Sequence, residues 1–149
     1  MGLLQARPEI ARIAGRWHIR PFQRAMHILV IEDNSQVRAM LSMQLACIAG
    51  VSLVRSAVDG RAGLEAIGES APDLLLLDLR LPQINGFGVL EALRIAGAQF
   101  PVIAMSASGE YRARSLTQGA SYFFDKNSET ECIFATVARM AAERGARPQ

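Results

Sequence analysis

Cysteine is scarce: the 149 residues include two, Cys47 and Cys132. They stand far apart, with no CxxC or Cys/His cluster around either. This argues against a disulfide scaffold or structural zinc site and favours a reducing compartment. Both are expected to be buried as small apolar side chains. Long apolar runs are also missing. The longest stretches of large aliphatics are Ile28–Ile31 and Leu74–Leu77, whereas a membrane-spanning helix needs about 20 apolar residues. Charged residues make up 20% of the chain, below the usual share of about 25%. Half the chain is hydrophobic, so a largely disordered chain is excluded and the length of one domain can bury one core. No GxGxxG or GxxxxGK[ST] follows the first apolar run, which leaves a nucleotide or flavin site without support.

Charge is unevenly placed. Residues 1–25 hold five of the 16 basic residues and one of the 14 acidic ones. The sequence pI of 8.8 is therefore set by a short leader and says little about nucleic-acid binding by the rest. The leader has no strand pattern, and Pro8 and Pro21 interrupt any long helix. Arg12, Arg16 and Arg20 sit at helical spacing, which would put three cations on one face. A basic anchor or nucleic-acid arm is one reading of it. A cleaved targeting segment is another, although the apolar core of a secretory signal is missing. The favoured reading is a disordered extension or a start-site artefact, with Met26 as the alternative start.

From Met26 onward, strand and helix patterns alternate. His27–Ile31 reads as a first strand ending at Glu32 and Asp33. Asn34 or Ser35 can cap a helix carrying Val37, Met40, Leu41, Leu45 and Ile48 at the 3.6-residue period, and Gly50 stops it. Val51–Val58 reads as a strand, and Asp59-Gly60 turns the chain into a helix over Arg61–Glu69. Asp73–Asp78 contains four consecutive leucines, as suits a strand buried on both faces. A loop over Leu79–Asn85 leads to a helix over Gly86–Ala96. Phe100–Ser106 and Ala120–Phe124 read as the last two strands, separated by a helix over Glu110–Gln118. A final helix over Glu129–Glu143 has Ile133, Phe134, Val137 and Met140 as its apolar stripe. The expected domain is therefore 26–143, with a short tail over 144–149. Five βα units predict an α/β, doubly wound fold: a five-stranded parallel sheet with helices on both faces and right-handed crossovers. Ligands of such sheets lie beyond the carboxyl ends of the strands.

Those ends carry Glu32 and Asp33, Asp78, Ser106 and Lys126. Taken singly, each has a structural explanation. An aspartate caps turns, Glu32 and Asp33 favour the next helix N-terminus, Ser106 is a loop hydroxyl, and Lys126 is a solvated charge. Together, at matching ends of successive strands, they converge on one pocket. Three carboxylates repel one another and suit a hard divalent cation, Mg2+ or Mn2+. The ammonium and hydroxyl suit an anion beside that cation, such as a phosphoryl group. Asp78, held by the leucine strand, is the nucleophile candidate for an acyl phosphate.

The sequence resembles a response-regulator receiver domain, the phosphoacceptor part of two-component signalling. The resemblance rests on HILVIEDN at 27–34, PDLLLLDLRLPQINGFGVL at 72–90, PVIAMSAS at 101–108 and GASYFFDKN at 119–127. It implies a flavodoxin-like three-layer sandwich. It implies that Asp78 is the phosphorylated aspartate and that Glu32 and Asp33 are the acidic pair at Mg2+. The backbone carbonyl of Arg80 would be a further metal ligand, Ser106 the switch hydroxyl, Phe123 the switch aromatic and Lys126 the phosphate-binding lysine. Pro82 and Gly86 match the loop after the phosphosite. Three positions need comment. Asn127 stands where many relatives have proline, which removes the usual residue for a cis peptide and implies a looser loop. Phe123 lacks a phenolic hydroxyl, so its part in a switch must come from packing. The side chain of Arg80 either guards the phosphoryl group from water or pairs with a carboxylate.

The chain stops at Gln149, so the resemblance is to a stand-alone, cytoplasmic receiver without a DNA-binding domain. Its implied partners are a sensor histidine kinase or phosphotransfer protein and a downstream protein. The downstream protein would meet the face of the fourth helix, fifth strand and fifth helix, around Tyr111, Arg112, Tyr122 and residues 129–133. The chain is then no enzyme beyond its own phosphoryl transfer and autodephosphorylation. The alternatives are a phosphorylation-independent adaptor and a relay or phosphate-sink receiver. A haloacid-dehalogenase-like hydrolase needs a second aspartate two residues after the nucleophile, where Arg80 stands.

Overall fold

The structure, a computed structural model, describes residues 25–146. The leader with Arg12, Arg16 and Arg20 lies outside the described residues, as does the end of the tail, 147–149. Five strands form the sheet: β1 (Met26–Ile31), β2 (Val51–Ala57), β3 (Leu74–Asp78), β4 (Val102–Ser106) and β5 (Tyr122–Asp125). Five helices connect and follow them: α1 (Ser35–Ala46), α2 (Gly60–Glu69), α3 (Gly86–Ala96), α4 (Arg112–Thr117) and α5 (Thr130–Ala146), with a 3-10 turn at Gly109–Tyr111 before α4. The strand order is β2-β1-β3-β4-β5 and every neighbouring pair is parallel. The order reverses between β1 and β3, which opens the crevice at their carboxyl ends where ligands of such sheets bind.

Side-chain alternation along the central strands makes two cores from one apolar sequence. Leu29, Ile31, Leu75, Leu77 and Ala104 face α2 and α3, meeting Leu64, Ile67, Leu90 and Leu93. Ile28, Val30, Leu74, Leu76, Ile103 and Met105 face α1 and α5, meeting Leu41, Leu45, Ile133 and Val137. The four leucines of β3 are thus shared two and two, and all are fully buried. Each such burial removes apolar area worth about 1.5–3 kcal/mol.

Local chemistry sets the helix starts. Asn34 caps α1, its Oδ1 accepting from the amides of Gln36 and Val37 at 3.0 Å. Asp59 caps α2 through the amide of Ala62 at 2.7 Å, and Asn85 caps α3 through that of Gly88 at 3.0 Å.

Several boundaries differ from the expected ones. β2 ends at Ala57 and β4 begins only at Val102, just past Pro101. α1 ends at Ala46, and Ile48 packs on the core from the following turn. The fourth helix is two short pieces in place of the continuous run over Glu110–Gln118. β5 begins at Tyr122, because Gly119, in the left-handed region at φ 112°, still belongs to the preceding turn. It runs on to Asp125, paired with Ser106. α5 continues past Glu143 to Ala146; Arg144 in its last turn pairs with Asp73 at 3.1 Å.

The cysteine expectation is wrong: Cys47 and Cys132 are both exposed. Cys47 follows the last residue of α1. In α5 the inward positions are Ile133, Val137 and Ala141, four apart, which turns Cys132 outward.

Gly86 starts α3 against the loop that follows β3. A Cβ there would lie 2.5 Å from Leu79 Cα and 2.6 Å from the Asp78 carbonyl oxygen. Gly86→Ala is therefore expected to destabilise the domain by about 1–3 kcal/mol, because backbone must move to admit the methyl. A lowered midpoint in urea unfolding checks it.

Candidate functional site

The parallel register brings the expected residues to one edge of the sheet. Asp78 is the last residue of β3, opposite Met105, and Ser106 is the last of β4, opposite Asp125. Glu32 and Asp33 follow β1 directly, and Lys126 follows β5. Glu32, Asp78 and Ser106 are buried, at 0%, 4% and 1% exposure. Asp33 is exposed and Lys126 half-buried.

Glu32, Asp33 and Asp78 each place a carboxylate oxygen within 4.8 Å of the others. The Lys126 ammonium reaches across the mouth of the sheet, donating to Glu32 Oε1 and to Asp78 Oδ2 at 3.2 Å. Backbone amides complete the cradle. Asn34 donates to Glu32 Oε2 at 3.2 Å and Arg80 donates to Asp78 Oδ1 at 3.0 Å. The Lys126 amide is held by the Ser106 carbonyl at 2.9 Å, and the Ser106 hydroxyl accepts from the Ser108 amide at 3.1 Å.

The electrostatics follow from burial. Glu32 is harder to ionise than a free carboxyl because it is desolvated and sits beside Asp78, with Lys126 opposing. Burial pulls the Lys126 ammonium down, but its bond to Glu32 and the charges of Asp78 and Glu32 outweigh this and raise it above its ordinary value. Lys126 therefore carries its charge at neutral pH. Three carboxylates around one ammonium leave excess negative charge, and a hard divalent cation offsets it. In an octahedral Mg2+ shell, ligand oxygens stand about 3–4 Å apart, so the spacing of these carboxylates fits such an ion with small adjustments.

The remaining positions from the sequence are placed as follows. The backbone of Arg80 is at the site. Its side chain is exposed and lines an open cleft of about 450 Å³ with Asp33, Asn85, Phe87, Tyr111 and Arg114. None of the ion pairs among the described residues uses it. Phe123 is buried in the core on the α2–α3 side of the sheet. Two local hydrogen bonds brace the loop around Lys126. The Asn127 amide donates to Asp125 Oδ1 at 2.8 Å, a bond proline could not make. The Thr130 hydroxyl donates to the Lys126 carbonyl at 2.8 Å. The described residues contain no cis peptide.

Two contributors were not visible from motif spacing. Arg38 donates from Nη1 to the carbonyls of Glu32 at 2.9 Å and Asp33 at 3.3 Å, fixing the backbone of the acidic pair. Its place four residues after the cap of α1 is a usable signal, because helical side chains lean toward the N-terminus. Arg112, expected only as a surface residue, donates to the Phe123 carbonyl at 3.0 Å.

Comparison with known proteins agrees with this geometry. The model of the response regulator receiver domain family matches residues 28–138. A protein-glutamate methylesterase/protein-glutamine glutaminase of Myxococcus xanthus is 38% identical over 85 residues, covering 57% of this chain and 24% of that protein. One from Symbiobacterium thermophilum is 31% identical over 121 residues, covering 78% and 33%. The chain thus spans a quarter to a third of the length of these relatives. The receiver domain of the Francisella response regulator 1452 has the same fold, with a TM-score of 0.71 and 22% identity over 79% of this chain and 98% of that one. Among the described residues no helix is long and apolar enough to cross a membrane. On the family match and the five-stranded parallel sheet, the chain belongs to the response regulator receiver domain family of two-component signalling.

Proposed function

We propose that this protein accepts a phosphoryl group on Asp78 from a sensor histidine kinase or phosphotransfer protein, and that the modified domain signals through protein contacts. The observation that supports it best is the meeting of three carboxylates with the Lys126 ammonium at the carboxyl edge of the sheet. Asp78 Oδ attacks the phosphorus, the bond to the donor breaks, and the donor leaves with the electron pair. Asp33 and Asp78, the carbonyl of Arg80 and the neighbouring Glu32 would hold Mg2+ or Mn2+. That ion supplies positive charge beside the phosphoryl oxygens. Lys126 offsets charge on the same oxygens, and Ser106 offers a hydroxyl to them from the end of β4. Arg80 N–H orients the attacking carboxylate.

Phe123, buried against the α2–α3 side, would convert movement of Ser106 into repacking under α4, by shape alone. The signal would leave through α4, β5 and α5, where Tyr111, Arg112 and Tyr122 lie. In this reading the chain catalyses only its own phosphorylation and autodephosphorylation. The methylesterase activity in the relatives' names belongs to proteins three to four times as long as the matched region, and it is not carried over.

The test is intact mass after incubation with a small acyl-phosphate donor, with and without Mg2+. One phosphoryl adduct per chain, formed only with Mg2+, is expected. An unmodified chain at saturating Mg2+ would favour a phosphorylation-independent adaptor.

A further inference from the structure

The segment carrying Lys126 is held from outside the acidic pocket. Arg112, the first residue of α4, donates from Nη1 to the Phe123 carbonyl at 3.0 Å and from Nη2 to Glu129 Oε1 at 2.6 Å. Its guanidinium also lies 4.9 Å from the centre of the Phe123 ring. The same Glu129 oxygen accepts from the Asp125 amide at 3.0 Å, and the Glu129 amide donates back to the Asp125 carbonyl at 2.8 Å. Lys126 sits inside that closed loop. A single guanidinium therefore joins three pieces of chain: α4, the end of β5, and the turn that aims the ammonium at Glu32 and Asp78.

We propose that Arg112 is a positioning residue for Lys126, and so makes phosphorylation of Asp78 depend on where α4 sits. The inference rests on the reading of Asp78 as phosphoacceptor. Arginine is suited to the task because its rigid fork serves two acceptors at once, one a carbonyl and one a carboxylate. The Asp125 amide and Arg112 hold the Glu129 carboxyl below its ordinary range, so this pair stays charged at neutral pH. As a stabilising surface pair alone it would count for little, since both side chains reach solvent. Its consequence is geometric. α4 has only six residues and gains a fixed place through Arg112, while Lys126 gains a fixed reach. Coupling of this kind is reciprocal: whatever binds α4 and shifts Arg112 changes phosphoryl acceptance, and a phosphoryl group that draws on Lys126 changes the placement of α4.

Lys126 is the only lysine in the chain, so its side-chain nitrogen gives a single assignable signal in nitrogen-15 NMR. The experiment compares the full chain with Arg112→Gln, Arg112→Lys, Glu129→Gln and the Arg112→Gln/Glu129→Gln pair. It reads that signal and the rate of phosphorylation by a small acyl phosphate at saturating Mg2+. Arg112→Gln is expected to shift the Nζ signal and slow phosphorylation roughly tenfold to a hundredfold, the effect of slight misplacement of a reacting group. Arg112→Lys recovers part of the rate, since one ammonium cannot make both bonds. The double variant is no slower than the slower single variant. An unmoved Nζ signal with an unchanged rate in Arg112→Gln overturns the proposal, as does a double variant whose loss is the product of the two single losses. Glu129→Gln, which keeps a hydrogen-bonding side chain, serves if Arg112→Gln does not fold. If the wild-type chain takes no phosphoryl group from any donor, the phosphoacceptor reading fails, while the Nζ signal still reports whether Arg112 places Lys126.

Discussion

Asp78→Asn is expected to reduce phosphoryl acceptance to background while leaving the domain folded. An amide has no anionic oxygen with which to attack phosphorus, so the loss is complete rather than graded. The change is nearly isosteric, and asparagine Oδ1 can still accept from the Arg80 amide, which now bonds Asp78 Oδ1 at 3.0 Å. The Lys126 contact at Oδ2 is lost or weakened, because an amide nitrogen offers no lone pair to an ammonium. Against this, Glu32 is relieved of a neighbouring anion, which is one cause of its raised pKa. The two effects oppose each other, and net stability should move by no more than about 1 kcal/mol. Intact mass and urea unfolding of the variant check both halves. An adduct at wild-type level would move the phosphoacceptor elsewhere.

Lys126→Met is expected to damage both stability and chemistry. Glu32 is fully buried and its side-chain cation is Lys126. Removing one partner of a buried pair strands the other charge. The cost should be about 3 kcal/mol, the low end of the range for buried pairs, because the lysine itself reaches solvent. The stranded carboxyl has an escape: it can take up a proton. The folded-state pKa of Glu32 already lies above 4.5 in the intact site, and loss of Lys126 removes an opposing influence. A raised carboxyl favours folding most below its unfolded pKa, and that advantage is lost as pH rises through the folded pKa. The deficit of the variant should therefore be largest at neutral pH and shrink toward about pH 5. Added Mg2+ should recover part of the stability at neutral pH by supplying the missing charge. Phosphorylation should fall by about 10²–10³, the usual loss when one preorganised charge or donor at a transition state is removed. Denaturant titrations at several pH values, with and without Mg2+, check the first part and donor kinetics the second. A variant as stable as wild type at neutral pH without Mg2+ would contradict the claim that Lys126 compensates Glu32.

Much of this architecture was legible because the sequence carries two kinds of signal that agree. The leucine run at 74–77 and the aliphatic run at 28–31 read as buried strands because nothing polar interrupts them, and α3 has the expected bounds, with Asn85 capping it and Gly97 closing it in the left-handed region at φ 73°. The meeting of the candidate site residues was legible because strand ends are where side chains leave the core. Where local signals were weak, the reading slipped. Ala120 and Ser121 look like strand, yet the backbone turn at Gly119 delays β5 until Tyr122. The fourth helix looked continuous, but Tyr111 is committed to an edge-on contact with Phe87, and the chain passes it as a 3-10 turn. The cysteines were misread because residue type suggested burial, whereas position decides it: Cys47 lies past the end of α1, and helix phase turns Cys132 outward. Arg38, and the bridging role of Arg112, are harder to read for a different reason. Each bonds a backbone carbonyl, which side-chain motifs do not record.

The central claim is that Asp78, and no other carboxylate of the acidic group, takes the phosphoryl group. Its most direct test is reduction of the acyl-phosphate-treated, Mg2+-loaded protein with borohydride, followed by peptide sequencing in the mass spectrometer. The reduction turns an aspartyl phosphate into homoserine and leaves free carboxylates unchanged. The account predicts homoserine at position 78 alone, and none when Mg2+ is withheld. Homoserine at position 33, or at any position other than 78, would contradict it.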